Sequence, residues 1–286
     1  MLSRFFPKGY DPYRPVALIA GRGQYPIFLA ERFLLNSIPL RLIAFHGETE
    51  QHLVQSFADS EKVIIRVGQI GRMLKALKAF DVGYALMAGQ ITPKRLFRGL
   101  YPDLKAIRLL AHLNEKNAET LFGAIVSEIE QLGITQLDAR VLMDSELAHE
   151  GLMSGKRLRE DMRYIEHGVR IAKEIARLDI GQSVVVREGV VLAVEAFEGT
   201  DAMIRCVSRS GAEHSIFIKT VKPFQNYRFD VPVFGMQTLK LLYEAKIRLA
   251  VLEAGSTLIL EKEKVLREAE RLRIQIYGYT SRKVID

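Results

Sequence analysis

The sequence predicts an α/β protein of two domains, the first Rossmann-like around a parallel sheet and the second mixed α/β. Three observations carry that expectation. Short apolar runs alternate with helical stretches from Val16 to Gly89, and strand–helix alternation is the mark of a parallel sheet with crossover helices. A second alternating block runs from about residue 160 to residue 278. The length, 286 residues, suits one large or two ordinary domains at roughly 100–200 residues each.

Taken in order, residues 1–15 are rich in Pro, Tyr, Phe and basic groups without a clear period. They read as an extended leader, either a loose tail or a basic-aromatic arm for an anionic lipid surface. Residues 16–20 form a short apolar strand, followed by Gly21-Arg22-Gly23-Gln24-Tyr25-Pro26. Residues 26–35 read as a helix, with proline tolerated in its first turn. Strands are expected over 40–45, 63–67 and 84–88, with a helix over 73–79 between the last two. From 104 to 132 the period is helical, and Leu121, Ile125 and Ile129 fall on one face. The charged stretch 157–163 reads as a linker running into a helix over 161–178. Residues 183–187 and 190–196 flank Glu188-Gly189 as a hairpin. Beyond them the pattern gives a helix over 202–208, a strand over 215–221 and a helix over 236–245. Strands over 249–252 and 258–260, a helix over 263–272 and a strand over 274–278 follow. The expected division is a leader 1–15, an N-terminal domain 16–150 and a C-terminal domain 151–286.

Forty-one basic against thirty-four acidic residues give a net charge of +7. That balance favours anionic partners. Lys and Arg do not cluster with alternating aromatics, so no nucleic-acid partner is expected. One cysteine, Cys206, excludes an internal disulfide and any multi-cysteine metal site. No apolar run reaches the ~18 residues of a spanning helix, and the N-terminus lacks a secretory core. The expectation is a cytoplasmic protein that touches a membrane, if at all, from outside. The phosphate loop with Gly-Lys-Ser/Thr, the His-Glu-x-x-His metal motif and the Gly-x-Ser-x-Gly elbow are missing from the sequence.

Three stretches could carry chemistry. Gly21, Gly23 and Gln24 lie between a strand and a helix, where backbone N–H groups can approach a phosphate; the same glycines also suit a tight turn. Pro26 replaces the third glycine of the dinucleotide fingerprint, and the second strand ends Phe45-His46-Gly47 without an acid, which disfavours a nicotinamide site. Glu195, Glu198 and Asp201 put three carboxylates within seven residues around Gly199-Thr200. They suit Mg²⁺, or a capped helix start with solvated acids. Glu195 also interrupts an apolar strand, where a charge is costly without a partner. In the third, residues 222–232, Lys222, Gln225, Arg228 and Asp230 lie on a proline-bounded extended segment. That suits a phosphate beside a metal-holding or water-orienting acid, or an edge strand with a surface ion pair. Ala88-Gly89-Gln90-Ile91-Thr92-Pro93 is a further loop at a strand's carboxyl end.

The stretches 18–26, 68–75, 88–93, 178–182, 191–201 and 222–235 resemble the UDP-2,3-diacylglucosamine pyrophosphatase family of lipid A biosynthesis, in its two-domain, non-calcineurin form. The Glu-Gly-Thr-Asp block 198–201 and the Lys-Pro…Arg-x-Asp-x-Pro block 222–232 are the specific ones. The resemblance implies two α/β domains with the active site between them. It implies Mg²⁺-dependent hydrolysis of UDP-2,3-diacylglucosamine to UMP and 2,3-diacylglucosamine 1-phosphate (lipid X), with water directed at the sugar-side phosphorus. It also implies a homodimer; peripheral contact at the inner membrane is a separate expectation from the basic charge and the basic-aromatic leader. The family's catalytic aspartate falls on Asp230. Chemistry then suggests Asp230, Glu198 and Asp201 as metal ligands. Thr200, Lys222, Gln225 and Arg228 would hold phosphate, and Gly21, Gly23 and Gln24 would approach the nucleotide. Two departures stand out: Asn117-Ala118-Glu119 where the family reads Gly-Asp-Asp, and Arg72 in place of a lysine. The first motivates a rival reading, a non-catalytic binder of a nucleotide-sugar or acyl lipid.

Overall fold

A strand that is apolar on both faces must be covered on both faces. All five positions of β1 (Val16–Ala20) are buried, and so are all five of β4 (Tyr84–Ala88). A computed structural model describes residues 3–91, 101–113, 117–158, 160–208 and 213–280. The chain divides into two units. Unit 1 is Met1–Leu142 with Asn226–Asp230, and unit 2 is Met143–Gln225 with Val231–Asp286. The division falls at Leu142/Met143 rather than at the expected 150/151, because Leu147 and Ala148 already pair with Leu258 and Thr257 of unit 2.

In unit 1, β1 leads into α1 (Gln24–Leu35), β2 (Leu40–Phe45), α2 (Gln51–Gln55), β3 (Lys62–Ile65) and α3 (Ile70–Ala79). After β4 come α4 (Leu104–Ala111), α5 (Ala118–Glu130) and the two-residue β5 (Thr135–Gln136). The sheet order is β3-β2-β1-β4-β5, parallel throughout. The order reverses between β1 and β4, the switch point at which open α/β sheets hold ligands. Ile19, Ile43, Ile65 and Met87 of the sheet pack with Met73 and Leu77 of α3 and with Ile125 and Ile129 of α5.

At the switch point the loops after β1 and β4 are joined by backbone hydrogen bonds. Arg22 N donates to Gln90 O (2.7 Å) and Gln90 N to Arg22 O (3.0 Å). A Cβ on Gly21 would stand 2.6 Å from Gln90 O. Gly21 is therefore required by the approach of another backbone segment. Gly21→Ala should lower stability by about 1–3 kcal/mol, the cost of forcing a well-packed contact apart; thermal unfolding reads it, and an unchanged Tm would refute the tight-contact account.

Residues 3–15, expected as an extended leader, pack on unit 1. Phe6 stacks on Tyr10 (3.8 Å), Tyr10 leans on Tyr84 (4.7 Å), and Asp11 N donates to the Tyr84 hydroxyl.

Unit 2 begins with β6 (Gly151–Ser154), α6 (Met162–Arg177), β7 (Ser183–Arg187), β8 (Val190–Val194), α7 (Gly199–Ser208) and β9 (Ile216–Lys219). It continues with β10 (Val233–Phe234), α8 (Met236–Glu244), β11 (Leu249–Glu253), β12 (Leu258–Ile259), α9 (Lys262–Arg271) and β13 (Gln275–Tyr279). The main sheet runs β6-β13-β11-β9-β7-β8. Strands β13, β11 and β9 are parallel; β6 and β7 run against them, and β8 against β7. One face packs on α6 through Ile165, Val169 and Ala172, the other on α8 and α9 through Leu239, Leu242 and Val265. The charged stretch 157–163 is thus part of unit 2, where Asp161 caps α6 by accepting from Arg163 N.

Because β7 runs opposite to β9, the start of β7 and the ends of β8, β9, β11 and β13 share one edge of the sheet. Ser183, Glu195, Lys219, Glu253 and Tyr279 all stand at that edge.

Candidate functional site

The edge of unit 2 is built around the end of β9. Lys219 closes a run of buried apolar residues, Ile216-Phe217-Ile218, and is itself only 7% exposed. A buried ammonium needs partners. Its Nζ donates to the hydroxyls of Ser183 (3.2 Å) and Thr200 (3.3 Å) and lies 3.9 Å from a Glu195 carboxylate oxygen. Thr200 donates its proton to the other Glu195 oxygen at 2.6 Å, and Gln182 N–H points at the same carboxylate. Thr200, expected to hold substrate phosphate, therefore ties the start of α7 to the sheet. Glu198 and Asp201 flank the same turn and are exposed.

Burial alone would raise the Glu195 carboxyl above its ordinary value of 4.5. The Lys219 charge, the Thr200 and Ser183 hydroxyls and the Gln182 N–H outweigh burial and hold it below that value. A depressed folded pKa gives stability that is full above the ordinary carboxylate range and is lost as pH falls through the depressed value. Glu195→Gln should accordingly flatten the acid limb of stability below about pH 4.3. Urea midpoints at pH 7 and on the acid limb measure it; parallel limbs for wild type and variant would contradict this ion pair.

The next residues of β9's exit are held by a second network. Glu253, 7% exposed at the end of β11, accepts from Lys173 Nζ at 2.6 and 2.8 Å, from the Thr220 hydroxyl at 2.7 Å and from Val221 N at 2.9 Å. The Tyr279 hydroxyl reaches both Thr220 Oγ1 (2.8 Å) and Glu253 (3.2 Å). Burial first, then the Glu253 charge, pushes the Tyr279 phenol well above its usual value. Beyond Val221, the Lys222 ammonium pairs with Asp179. Gln225 takes the Lys222 N–H on its Oε1 (3.0 Å), which also accepts from Gln182 Nε2 (2.9 Å). Around this polar edge stand exposed apolar side chains: Phe224 (92%), Phe197 (70%), Leu178 and Ile180.

From Asn226 the chain enters unit 1 and stays for five residues. Tyr227 O accepts from Ala139 N at 2.7 Å, and Gln136 Nε2 donates to Arg228 O at 3.0 Å. The Arg140 guanidinium covers the Tyr227 ring at 3.4 Å, and Phe229 stacks on Phe122 at 5.7 Å. Arg228 pairs with Glu130 at 3.1 Å and with Asn226 Oδ1 at 3.1 Å. Asp230 ends the segment half-buried, its N–H bonded to Asn226 O. The sequence pattern predicts an extended segment through Arg228 and Asp230. Instead the Asn226 carbonyl accepts from both Phe229 N and Asp230 N, as in a turn.

Gly21, Gly23 and Gln24 lie at the switch point of unit 1. Gly23 has φ +103°, a conformation that favours glycine, and its N–H faces Glu50 Oε1 at 3.4 Å. A carboxylate from the loop after β2 thus reaches the glycine turn, an acid that the spacing from Phe45 did not reveal. Asn117 is the N-cap of α5, its side chain accepting from Thr120 N, and Glu119 is exposed in the first turn. Thr92 and Pro93 lie outside the described residues.

Lys219, Ser183, Lys173, Glu253 and Tyr279 were not foreseen. The available signal was a charge closing an apolar run, as in Ile216–Lys219 and Leu249–Glu253. Among the described residues no three His, Cys, Asp or Glu side chains gather as ligands of one ion, and no helix is long and apolar enough to cross a membrane.

Two family models match the sequence, the LpxI N-terminal domain over residues 15–146 and the LpxI C-terminal domain over residues 149–277. The UDP-2,3-diacylglucosamine pyrophosphatase LpxI of Caulobacter vibrioides is 32% identical over 283 residues, covering 93% of this chain and 97% of that protein.

Proposed function

The chain belongs to the LpxI family, and on that premise we propose that it hydrolyses UDP-2,3-diacylglucosamine to UMP and 2,3-diacylglucosamine 1-phosphate. The observation that carries the chemistry is the 226–230 segment, which holds Asp230 on a backbone fixed by Phe229, Arg228 and Tyr227. In this reading the Asp230 carboxylate orients the attacking water and takes up its proton. Water adds to the sugar-side phosphorus, the bridging P–O bond breaks, and UMP leaves with the bridging oxygen. Lys222 and Arg228 offset the growing negative charge on the phosphoryl oxygens, for which each exchanges part of its pairing with Asp179 or Glu130. Phe224, Phe197, Leu178 and Ile180 supply apolar surface for the acyl chains, each buried CH₂ being worth ~0.8 kcal/mol.

Mg²⁺ commonly uses one or two carboxylates together with substrate phosphates. We assign the ion to carboxylates of this kind, Asp230 in unit 1 and the exposed Glu198 and Asp201 of one turn in unit 2, each able to serve beside a substrate phosphate; no three of them gather among the described residues. Bound there, the ion would supply charge neutralisation on the diphosphate. The reading also has the protein act as a homodimer in the cytoplasm, at the inner membrane face, as light scattering and vesicle flotation would report.

The test is incubation of the purified chain with UDP-2,3-diacylglucosamine and Mg²⁺ in ¹⁸O-water. UMP should appear, EDTA should abolish it, and the label should enter the diacylglucosamine phosphate. Binding without release of UMP would favour the non-catalytic binder.

A further inference from the structure

Outside the residues assigned above, unit 1 carries a concavity of about 260 Å³ lined by His46, Ile64, Ile65, Arg66, Gln69 and Arg72. It lies where β2 and β3 end: His46 follows Phe45, and Arg66 follows Ile65. Ligands of open parallel sheets sit outside the carboxyl ends of the strands, and this concavity shares that edge with the switch point between β1 and β4 while lying at the neighbouring strands. The polar lining consists of two guanidinium groups, an imidazole and an amide, with no carboxylate among the six residues.

Two of these groups are held in advance. The Arg66 guanidinium lies over the Tyr101 ring at 4.5 Å. The Arg66 N–H donates to Gln69 Oε1 at 2.8 Å, which leaves the Gln69 amide nitrogen as the donor facing other partners. The positive pole of α3 is already matched: Asp103 Oδ2 accepts from Gly71 N (2.7 Å) and Arg72 N (3.3 Å). The Arg66 and Arg72 side chains are not matched in that way, since among the described residues neither has a carboxylate within ion-pairing distance. Paired guanidinium forks favour a phosphate, which they can bind through two parallel N–H···O contacts each. Ile64, exposed, and Ile65 below it offer an apolar floor for a flat ring or a sugar face.

We propose that this concavity binds the phosphate and nucleoside of a uridine nucleotide. The choice of uridine rests on the hydrolysis reading above; recognition of a phosphate monoester does not. The experiment is isothermal titration of the full chain with UMP, and separately with inorganic phosphate, in wild type, Arg66→Ala, Arg72→Ala and Arg72→Lys. Both side chains replaced, Arg66 and Arg72, are exposed, so the variants should fold, and circular dichroism checks this. Each alanine variant should bind UMP at least tenfold more weakly, with Arg72→Lys intermediate because a point charge replaces a fork. Loss of UMP affinity with a parallel rise in KM for UDP-2,3-diacylglucosamine identifies a substrate subsite. The same loss with KM unchanged identifies a separate nucleotide site at the same concavity, and it supports the proposal equally. Equal UMP affinity in wild type and both alanine variants overturns it. Binding is read without turnover, so an inactive wild type would count against the hydrolysis reading and leave this one standing on its own titration.

Discussion

Asp230→Ala loses at least ~100-fold in kcat, or about 2.7 kcal/mol of transition-state stabilisation, in a protein that remains folded. The expectation follows from how the segment is held. Its anchors are the Phe229–Phe122 stack, the Tyr227 carbonyl on Ala139 N and the Arg228 carbonyl on Gln136, and none involves the Asp230 carboxylate. Removing that group leaves the backbone in place and the substrate-binding groups on Lys222 and Arg228 intact, so KM should change little. Asp230→Asn should be nearly as poor, because the amide keeps the shape and loses the charge and the proton acceptor. UMP release at saturating Mg²⁺ measures both variants. Turnover at the wild-type rate in either would remove Asp230 from the mechanism.

Glu253→Leu should cost about 3–5 kcal/mol of stability, the usual consequence of leaving one partner of a buried pair without the other. Lys173 would keep its charge against β9's exit with only the Val221 carbonyl, at 3.3 Å, from its present partners. The Val221 N–H would lose the acceptor it now has in Glu253, and an unsatisfied buried donor costs about 1–3 kcal/mol by itself. Lys173→Met combined with Glu253→Leu removes both charges and should recover a large part of the loss. Urea unfolding of the three proteins gives the comparison. A single variant within ~0.5 kcal/mol of wild type would mean that the pair contributes no more than an exposed one.

The strands that were legible in the sequence are those buried on both faces. Residues 16–20 and 84–88 match β1 and β4 end to end, because an unbroken buried apolar run flanked by proline or glycine leaves little choice of limits. The two-residue strands β5 and β10 and the edge strand β6 escaped notice. Each is too short to establish a period, and β6 pairs on one side only. Residues 3–15 read as part of a leader for a related reason: ring stacking such as Phe6–Tyr10 on Tyr84 orders a chain without any repeat in sequence. In the site, the charges that interrupt or close apolar runs were visible as residues, but their partners were not. Glu253 and Lys173 are 80 residues apart, and Glu195 and Lys219 are 24 apart. Only the folded register brings them together. Thr200 was expected to hold substrate phosphate; in the fold its hydroxyl donates to Glu195, five residues earlier, a partner the sequence spacing did not single out.

Unit 1 is not finished by its first 142 residues, since it also needs Asn226–Asp230. Eighty-three residues intervene between Leu142 and Asn226. At about 5–20 residues per second, a ribosome takes roughly 4–17 s to deliver them. Throughout that interval the nascent unit must wait with Phe122 unstacked, Ala139 N–H without its carbonyl and the Arg140 cation without the Tyr227 ring. The last step in completing the first-made half is therefore timed by translation of the second, and a transcript truncated before codon 226 would yield a half-protein recognisable to chaperones by that uncovered face.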